Sequence, residues 1–331
     1  MKISLLIKTD ILEAIFSEKY YDRLRRMGEL AIYDRDNFED RAYVLDFVRS
    51  SDIIVTSWHS PAIDAEILAA CPTLSGVFHA AGSVKPILSP ELIAREDIRL
   101  TACAAAIGEG VAETALSFAI AACKGAFTLH DHVKNGGWDT PDMPRVLDFY
   151  DIMVGIIGGG FVGRHMIKLL KNYHVDVLLY DPTLTREQVA ELGAAKCELN
   201  DLLLRADVIS VHAPSIPATE KMLNASNLPL IKDGAILVNT ARGAIFDEPA
   251  LIEELKKGRF FACLDVTEPE PPAADNPLRD MPNVLLTPHI AGTARNGKRR
   301  IALHICEETE RFLSGERMRT EIDRTALAKM A

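Results

Sequence analysis

The stretch from Asp151 to Leu170, DIMVGIIGGGFVGRHMIKLL, constrains the fold of this chain more than any other. Ile152 to Ile157 is a short apolar run without the alternation of a half-exposed strand, so it reads as a strand covered on both faces. Gly158, Gly160 and Gly163 follow at G-x-G-x-x-G spacing, and Met166, Ile167, Leu169 and Leu170 then mark the apolar positions of a helix. Strand, glycine turn and helix in this order make a cradle for a pyrophosphate. Gly158 permits the tight turn, Gly160 lets backbone approach the anion, and Gly163 lets the helix lie close to the strand. The helix N-terminus adds free N–H groups and the positive end of its dipole.

The next apolar run, Val175 to Tyr180, ends in Asp181-Pro182. A carboxylate there is placed to accept hydrogen bonds from the ribose hydroxyls of NAD, and it repels the 2′-phosphate of NADP. The expected cofactor is therefore NAD. On these residues alone a second reading stands level: Asp-Pro often simply opens a turn.

Length and charge narrow the class. At 331 residues the chain has room for two domains of the usual ~100–200 residues. A net charge of −10 argues against a nucleic-acid or anionic-membrane surface, which needs clustered Lys and Arg. Cysteines 71, 103, 123, 197, 263 and 306 are scattered, with no CxxC pair and no zinc-like spacing to His, so no metal is expected. They read as buried thiols in a reducing compartment, and the expected location is cytoplasmic. The N-terminal apolar run is broken by Lys8 and Asp10, and Val111 to Cys123 contains Glu113, so no membrane span is expected.

From Met1 to about Thr101, strand-like runs alternate with helical ones, including one helix around Ile11 to Met27; this implies parallel βα units in one open sheet. After the run Gly76 to His79, the loop Ala80-Ala81-Gly82-Ser83 offers backbone N–H groups for a substrate carboxylate, and a plain strand-to-loop transition competes with that reading. Ala104 to Gly108 reads as a hinge before a helix over Val111 to Cys123, and Asp139 to Met143 as surface loop. From Ile152 onward six apolar runs alternate with helical stretches, as in a doubly wound nucleotide-binding sheet. Ala294 to Leu313 reads as a long helix returning to the first domain.

In an open parallel sheet, ligands bind outside the carboxyl ends of the strands. The expected strand ends carry Gly158 to Gly163, Asp181-Pro182, His212-Ala213-Pro214, Asn239 to Gly243, Asp265 to Pro271, and Thr287-Pro288-His289, which should converge on one cleft. Three of these side chains suit redox chemistry on a carbonyl beside a carboxylate. The forked cation of Arg242 can hold the carboxylate and polarise the carbonyl. An imidazole at His289 can pass a proton to the oxygen, and Glu270 can orient that ring and favour its charged form. Each has a bland reading: Arg242 as a surface charge, Glu270 as a loop carboxylate, His289 as a ring satisfied by backbone. Their joint placement at successive strand ends favours the chemical reading. Of the other histidines, His79 is singled out because it precedes the Ala81-Gly82-Ser83 loop.

With those residues in hand, the chain resembles the D-isomer-specific 2-hydroxyacid dehydrogenases, the group that contains D-3-phosphoglycerate dehydrogenase and the glyoxylate/hydroxypyruvate reductases. The resemblance is carried by GIIGGGFVGR, SVHAPSIPATEKMLN, VNTARGAIFDE, LDVTEPEPP and LLTPHIAGT. It implies a Rossmann NAD-binding domain over 104–289 inserted into a discontinuous flavodoxin-like substrate domain, 1–103 with 290–331. It further implies a triad of Arg242, Glu270 and His289, and NAD contacts at Phe161, Val162, Asp181, Pro182, His212, Pro214, Thr240, Ala241, Arg242, Asp265 and His289 to Gly292, Ala291 among them. The implied activity is hydride transfer between NAD and C2 of a small 2-hydroxy or 2-oxo acid, in a homodimer. Transcriptional corepressors that sense NAD share this fold, but this chain offers no tail or basic patch for that role. Val84 and Lys85 stand where the family's substrate loop often reads Asp-Asn, and Ala106 to Gly110 replaces a segment that commonly holds Asn. Lys85 is a candidate for engaging a second anionic group on the substrate.

Overall fold

A computed structural model describes residues 1–139 and 146–329; of the loop expected over Asp139 to Met143, residues 140–143 lie outside them. The chain divides into two compact units, Met1–Ile107 with Thr293–Ala331, and Gly108–Gly292.

The first unit begins with β1 (Lys2–Leu6), α1 (Thr9–Ile15), α2 (Glu18–Arg25), β2 (Glu29–Ile32), α3 (Arg41–Val48) and β3 (Ile53–Thr56). It continues through α4 (Ala65–Ala70), β4 (Gly76–His79), α5 (Pro90–Ala94) and β5 (Arg99–Ala102). Its five strands are parallel in the order β2-β1-β3-β4-β5, the flavodoxin-like doubly wound order. The single helix expected over Ile11 to Met27 is two, because Ser17 is extended (φ −114°, ψ 167°) and its carbonyl accepts the Tyr20 and Tyr21 amides that start α2. Phe16, at the break, is buried in the core.

The unit boundary falls inside α6 (Ala104–Cys123), which runs without interruption through the segment read as a hinge. Small residues serve packing there: a Cβ added at Gly108 would lie 3.3 Å from Val162 Cγ2. This helix is long and apolar enough to cross a membrane by length and composition. Its Ala112, Ala115, Ala119 and Ala122 positions are instead buried in the core of the second unit.

That unit continues with α7 (Ala126–Lys134), a helix not expected from the sequence, then β6 (Tyr150–Ile157), α8 (Phe161–Leu170), β7 (His174–Tyr180) and α9 (Arg186–Leu192). β8 (Ala195–Lys196), α10 (Leu199–Arg205), β9 (Val208–Val211), β10 (Ile236–Asn239), α11 (Glu248–Lys256), β11 (Phe261–Leu264) and β12 (Val284–Leu286) complete it. The sheet has seven parallel strands, β12-β11-β10-β9-β6-β7-β8, one more than the six apolar runs. The extra strand, β8, is a two-residue edge piece paired to Leu178 and Leu179, too short to carry a periodic signal. β9 and β10 are buried at every position, as helices on both faces require. The chain order reverses between β6 and β9, so the strand ends there flank the crevice where an open sheet takes its ligand.

Returning to the first unit, α12 (Lys298–Leu313) starts four residues later than the apolar pattern suggested, after a turn closed by the Lys298 amide on the Ala294 carbonyl at 3.1 Å. Buried Glu308 on this helix accepts the Arg319 and Thr320 amides, fastening the C-terminal segment beside β5.

Leu237 sits fully buried at the centre of β10. Leu237→Ala is expected to cost ~2–5 kcal/mol of stability through lost burial and the cavity left behind. The check is the urea midpoint of the second unit's transition; a shift equivalent to less than ~1 kcal/mol would show that the sheet is not the rigid centre described.

Candidate active site

The glycine turn opens the site. Gly158 sits at φ +101°, and a Cβ there would meet the Ala213 amide nitrogen at 2.8 Å, so the turn packs directly on the end of β9. A Cβ at Gly163 would lie 2.0 Å from the Gly158 carbonyl oxygen, so only glycine lets α8 start so close to β6. At Gly160 nothing lies within 4 Å of an added Cβ: the mouth of the turn is open beside the N-terminus of α8, where Phe161 and Val162 begin the helix. The middle glycine, given no task by the sequence, has one here. The Gly159 amide donates to Asp181 Oδ2 at 2.7 Å, its carbonyl accepts from Arg164 Nε at 2.8 Å, and a Cβ would strike Leu184 at 2.5 Å.

Asp181 stands at the end of β7, with Pro182 after it, and its Oδ1 also accepts the Thr183 amide and hydroxyl. Burial works against its charge, but the Thr183 hydroxyl and the Gly159, Thr183 and Leu184 backbone outweigh that and hold the carboxyl below its ordinary value. It is a fixed anion at the second strand end, in contact with the glycine turn.

Two further strand ends leave buried polar atoms without partners among the described residues: Nδ1 of His212 after β9, and Oγ1 of Thr240 after β10. Pro214 follows two residues on, with buried Ala213 between. An open cradle at Gly160 together with orphaned polar atoms on neighbouring strands fits a dinucleotide lying along this edge. NAD would be held by the glycine turn and α8 N-terminus, Asp181, and the His212 and Thr240 edge.

The most ordered cluster is centred on Asp265, 1 % exposed at the end of β11. Its Oδ1 accepts the Thr287 hydroxyl at 2.5 Å and the Ile290 amide at 2.9 Å, its Oδ2 accepts the Ala291 amide at 2.8 Å, and its carbonyl accepts the His289 amide at 2.9 Å. Gly292 follows and ends the unit. Expected as a cofactor contact, Asp265 is thus first the anchor of the His289 loop. His289 adopts φ +52°, a left-handed conformation that a non-glycine residue keeps only when its surroundings hold it there. In this posture His289 Nδ1 meets Glu270 Oε2 at 2.8 Å, while Glu270 Oε1 accepts the Thr267 amide at 3.4 Å. Both side chains of the pair reach solvent. A cavity of about 560 Å³ opens against them.

Arg242 is exposed after β10 and donates Nη1 to the Ala241 carbonyl at 2.6 Å. Its turn is locked by Asn239, whose Oδ1 accepts the Ala241 amide and whose Nδ2 donates to the Arg242 carbonyl, both at 3.0 Å. Gly243 abuts the loop that carries Glu270: a Cβ on it would fall 2.1 Å from the Thr267 carbonyl carbon. Direct bonds therefore unite Asp265, Glu270 and His289, and a backbone contact sets the Arg242 turn against them. Asn239, Thr267 and Thr287, placed by sequence in the strand-end clusters but given no task there, are the supporting residues. The available signal was an Asn at a strand end, a residue that bonds its own backbone two positions on.

In the first unit, Ala81 is buried, Gly82 and Ser83 half-buried and Lys85 exposed. His79 lies beneath the loop, its Nδ1 2.9 Å from Thr56 Oγ1. Burial pushes His79 down to about 4, against a hydrogen bond with the Ser83 backbone that favours the cation. Burial alone pushes His212 down to about 3. Among the described residues no group of His, Cys, Asp and Glu suits a metal ion.

Both histidines are neutral in the native state well below the ~6.5 at which an unfolded chain protonates them, so their burial adds nothing to instability above pH 6.5. Stability is lost as pH falls from 6.5 toward about 4 for His79 and about 3 for His212. The expected slope is up to ~1.4 kcal/mol per pH unit for each. Urea midpoints at pH 7 and pH 5 test this, with His212→Asn expected to reduce the slope by that residue's share; an unchanged slope would contradict the buried neutral ring.

Comparison with known proteins bears on what this edge does. Residues 116–291 match the family described as "D-isomer specific 2-hydroxyacid dehydrogenase, NAD binding domain". The chain is 30% identical over 310 residues to the D-3-phosphoglycerate dehydrogenase of Archaeoglobus fulgidus, covering 93% of this chain but only 58% of that protein. It is also 30% identical over 303 residues to the glyoxylate reductase of Korarchaeum cryptofilum, covering 90% and 91% of the two. The NAD-complexed D-isomer specific 2-hydroxyacid dehydrogenase of Lactobacillus delbrueckii ssp. bulgaricus superposes with a TM-score of 0.80 at 19% identity, covering 98% of this chain and 100% of that one.

Proposed function

The chain belongs to the D-isomer-specific 2-hydroxyacid dehydrogenase family, and from that premise we propose that it transfers hydride between NAD and C2 of a small D-2-hydroxy acid or the matching 2-oxo acid. The observation that carries the reading is the 2.8 Å bond from His289 to Glu270 at the strand ends of a sheet that opens with a dinucleotide turn. NAD, when bound, supplies or accepts the hydride. Arg242 holds the substrate carboxylate in its fork and draws electron density from the adjacent carbonyl oxygen. In the reducing direction His289 gives that oxygen a proton from Nε2, and in the oxidising direction it takes the proton back. Glu270 keeps the ring oriented through Nδ1 and stabilises it while it is charged. The carbon gains a hydride and the oxygen a proton, so the 2-oxo acid becomes the 2-hydroxy acid without a covalent intermediate.

Supporting roles complete the proposal. Asp181 selects NAD over NADP by its fixed charge. Ala81, Gly82 and Ser83 form a carboxylate-facing loop, with Lys85 offering a cation to a second anionic group. The protein works as a cytoplasmic homodimer; six free thiols suit a reducing compartment.

NADH fluorescence should fall with at least one of glyoxylate, hydroxypyruvate, phenylpyruvate and 3-phosphohydroxypyruvate. His289→Ala and Arg242→Ala are each expected to lower kcat/KM by roughly 10²–10⁴ with NADH binding largely kept. Wild-type turnover in either variant would remove that residue from the mechanism, and NADH binding without turnover on the whole panel would favour an NAD-sensing role. Separately, Asp181→Ala should weaken NADH binding by about tenfold, ~1.4 kcal/mol, while improving NADPH use. An unchanged NADH/NADPH preference would assign cofactor choice elsewhere.

A further inference from the structure

The cavity of about 560 Å³ beside the Glu270–His289 pair is walled by Val266, Pro271, Leu286 and Pro288, with Arg279 also on its wall. That volume lies within the ~300–1,000 Å³ of small-molecule sites. Its charged groups differ in how far they are committed. Asp265 is spent on Thr287, Ile290 and Ala291, and Glu270 on His289 and Thr267. Arg279 donates Nε to the Ala273 carbonyl at 2.9 Å and Nη2 to the Pro272 carbonyl at 2.7 Å, and it forms no ion pair among the described residues. Both of its acceptors are neutral, so the guanidinium is held in place with its charge unmatched and its Nη1 donors uncommitted. With Asp265 and Glu270 engaged by their own partners, a fixed, unmatched guanidinium on a wall shared with Val266, Pro271, Leu286 and Pro288 favours a ligand with one carboxylate and an apolar body.

We propose that this cavity binds small amphipathic monocarboxylates, with the carboxylate on Arg279 and the apolar body against Leu286 and Pro288, and that occupancy slows turnover. The binding stands on the cavity alone. Its effect on turnover rests on the dehydrogenase reading, because the occupant shares a wall with His289 and Glu270, whose hydrogen bond that reading needs undisturbed.

Calorimetric titration of the NADH-loaded protein with benzoate tests the site, with benzylamine and benzyl alcohol as charge controls. Benzoate is expected to bind and benzylamine not. Arg279→Gln should weaken benzoate by about tenfold or more, and Leu286→Trp should abolish binding by filling the space, while Arg242→Ala leaves it unchanged. Because Arg279 also fastens its own loop, circular dichroism checks both cavity variants, and Leu286→Trp tests the site with that arginine intact. In NADH oxidation, benzoate should inhibit in a way that raising the 2-oxo acid does not relieve. Absence of benzoate binding, equal binding of benzylamine, loss of binding in Arg242→Ala, or inhibition relieved by substrate would each overturn the proposal. If no 2-oxo acid is turned over, the dehydrogenase reading falls, and the calorimetry still decides the site.

Discussion

One buried carboxylate organises the strand-end edge of the second unit that carries His289. Asp265 gathers the Thr287 hydroxyl and the Ile290 and Ala291 amides, and its own carbonyl takes the His289 amide. A buried charge survives only when donors satisfy it, and here the donors come from the residues that flank His289. The same bonds offset the strain of the histidine's left-handed backbone. Free of them, the segment after β12 would relax toward an ordinary extended exit, and the Nδ1 contact to Glu270 would lose its geometry. The imidazole is thus positioned by a residue that does not itself contact the ring.

A comparable division of labour runs through the dinucleotide turn. Gly158 and Gly163 are fixed by collisions that any side chain would cause, Gly160 by the space it leaves open, and Gly159 by its amide on Asp181. The anion at the end of β7 and the turn at the end of β6 are therefore one bonded object, clamped from the other side by Arg164 on the Gly159 carbonyl. The arrangement limits how the edge can respond to a change at position 181, because removing the carboxylate also frees the turn.

Much of this was legible in the sequence because parallel strands buried on both faces leave unbroken apolar runs, and because an open sheet places its polar punctuation at strand ends. The glycine turn, Asp181, Arg242, Glu270 and His289 all stood out on that basis. What escaped had physical reasons for escaping. β8 is two residues long and carries no period. The Ala104 to Gly108 segment looked like a hinge because small residues suit both a flexible joint and a helix pressed against a neighbour, and the unbroken helix with Val162 close to Gly108 separates the two. Asp265 was legible as a strand-end residue but not as an anchor, since its partners lie 22 to 26 positions away.

Burial sorts the flagged histidines more sharply than sequence position does. His79 and His212 both lie at strand ends, where ligand chemistry is expected, yet desolvation pushes them to about 4 and about 3 and keeps each neutral through the physiological range. A ring that cannot take a proton at neutral pH cannot serve as the general acid, whatever its location. Their hydrogen bonds show what they do instead: His79 ties Thr56 to the loop at Ser83, and His212 pairs with Ser210 while leaving Nδ1 toward the dinucleotide edge. His289 differs from both in its access and in its partner. It reaches solvent, holds the Glu270 carboxylate on Nδ1, and shows no bond from Nε2 among the described residues. Of the three, it alone combines access, orientation and a carboxylate partner, and that combination rather than its motif is what supports the role proposed for it.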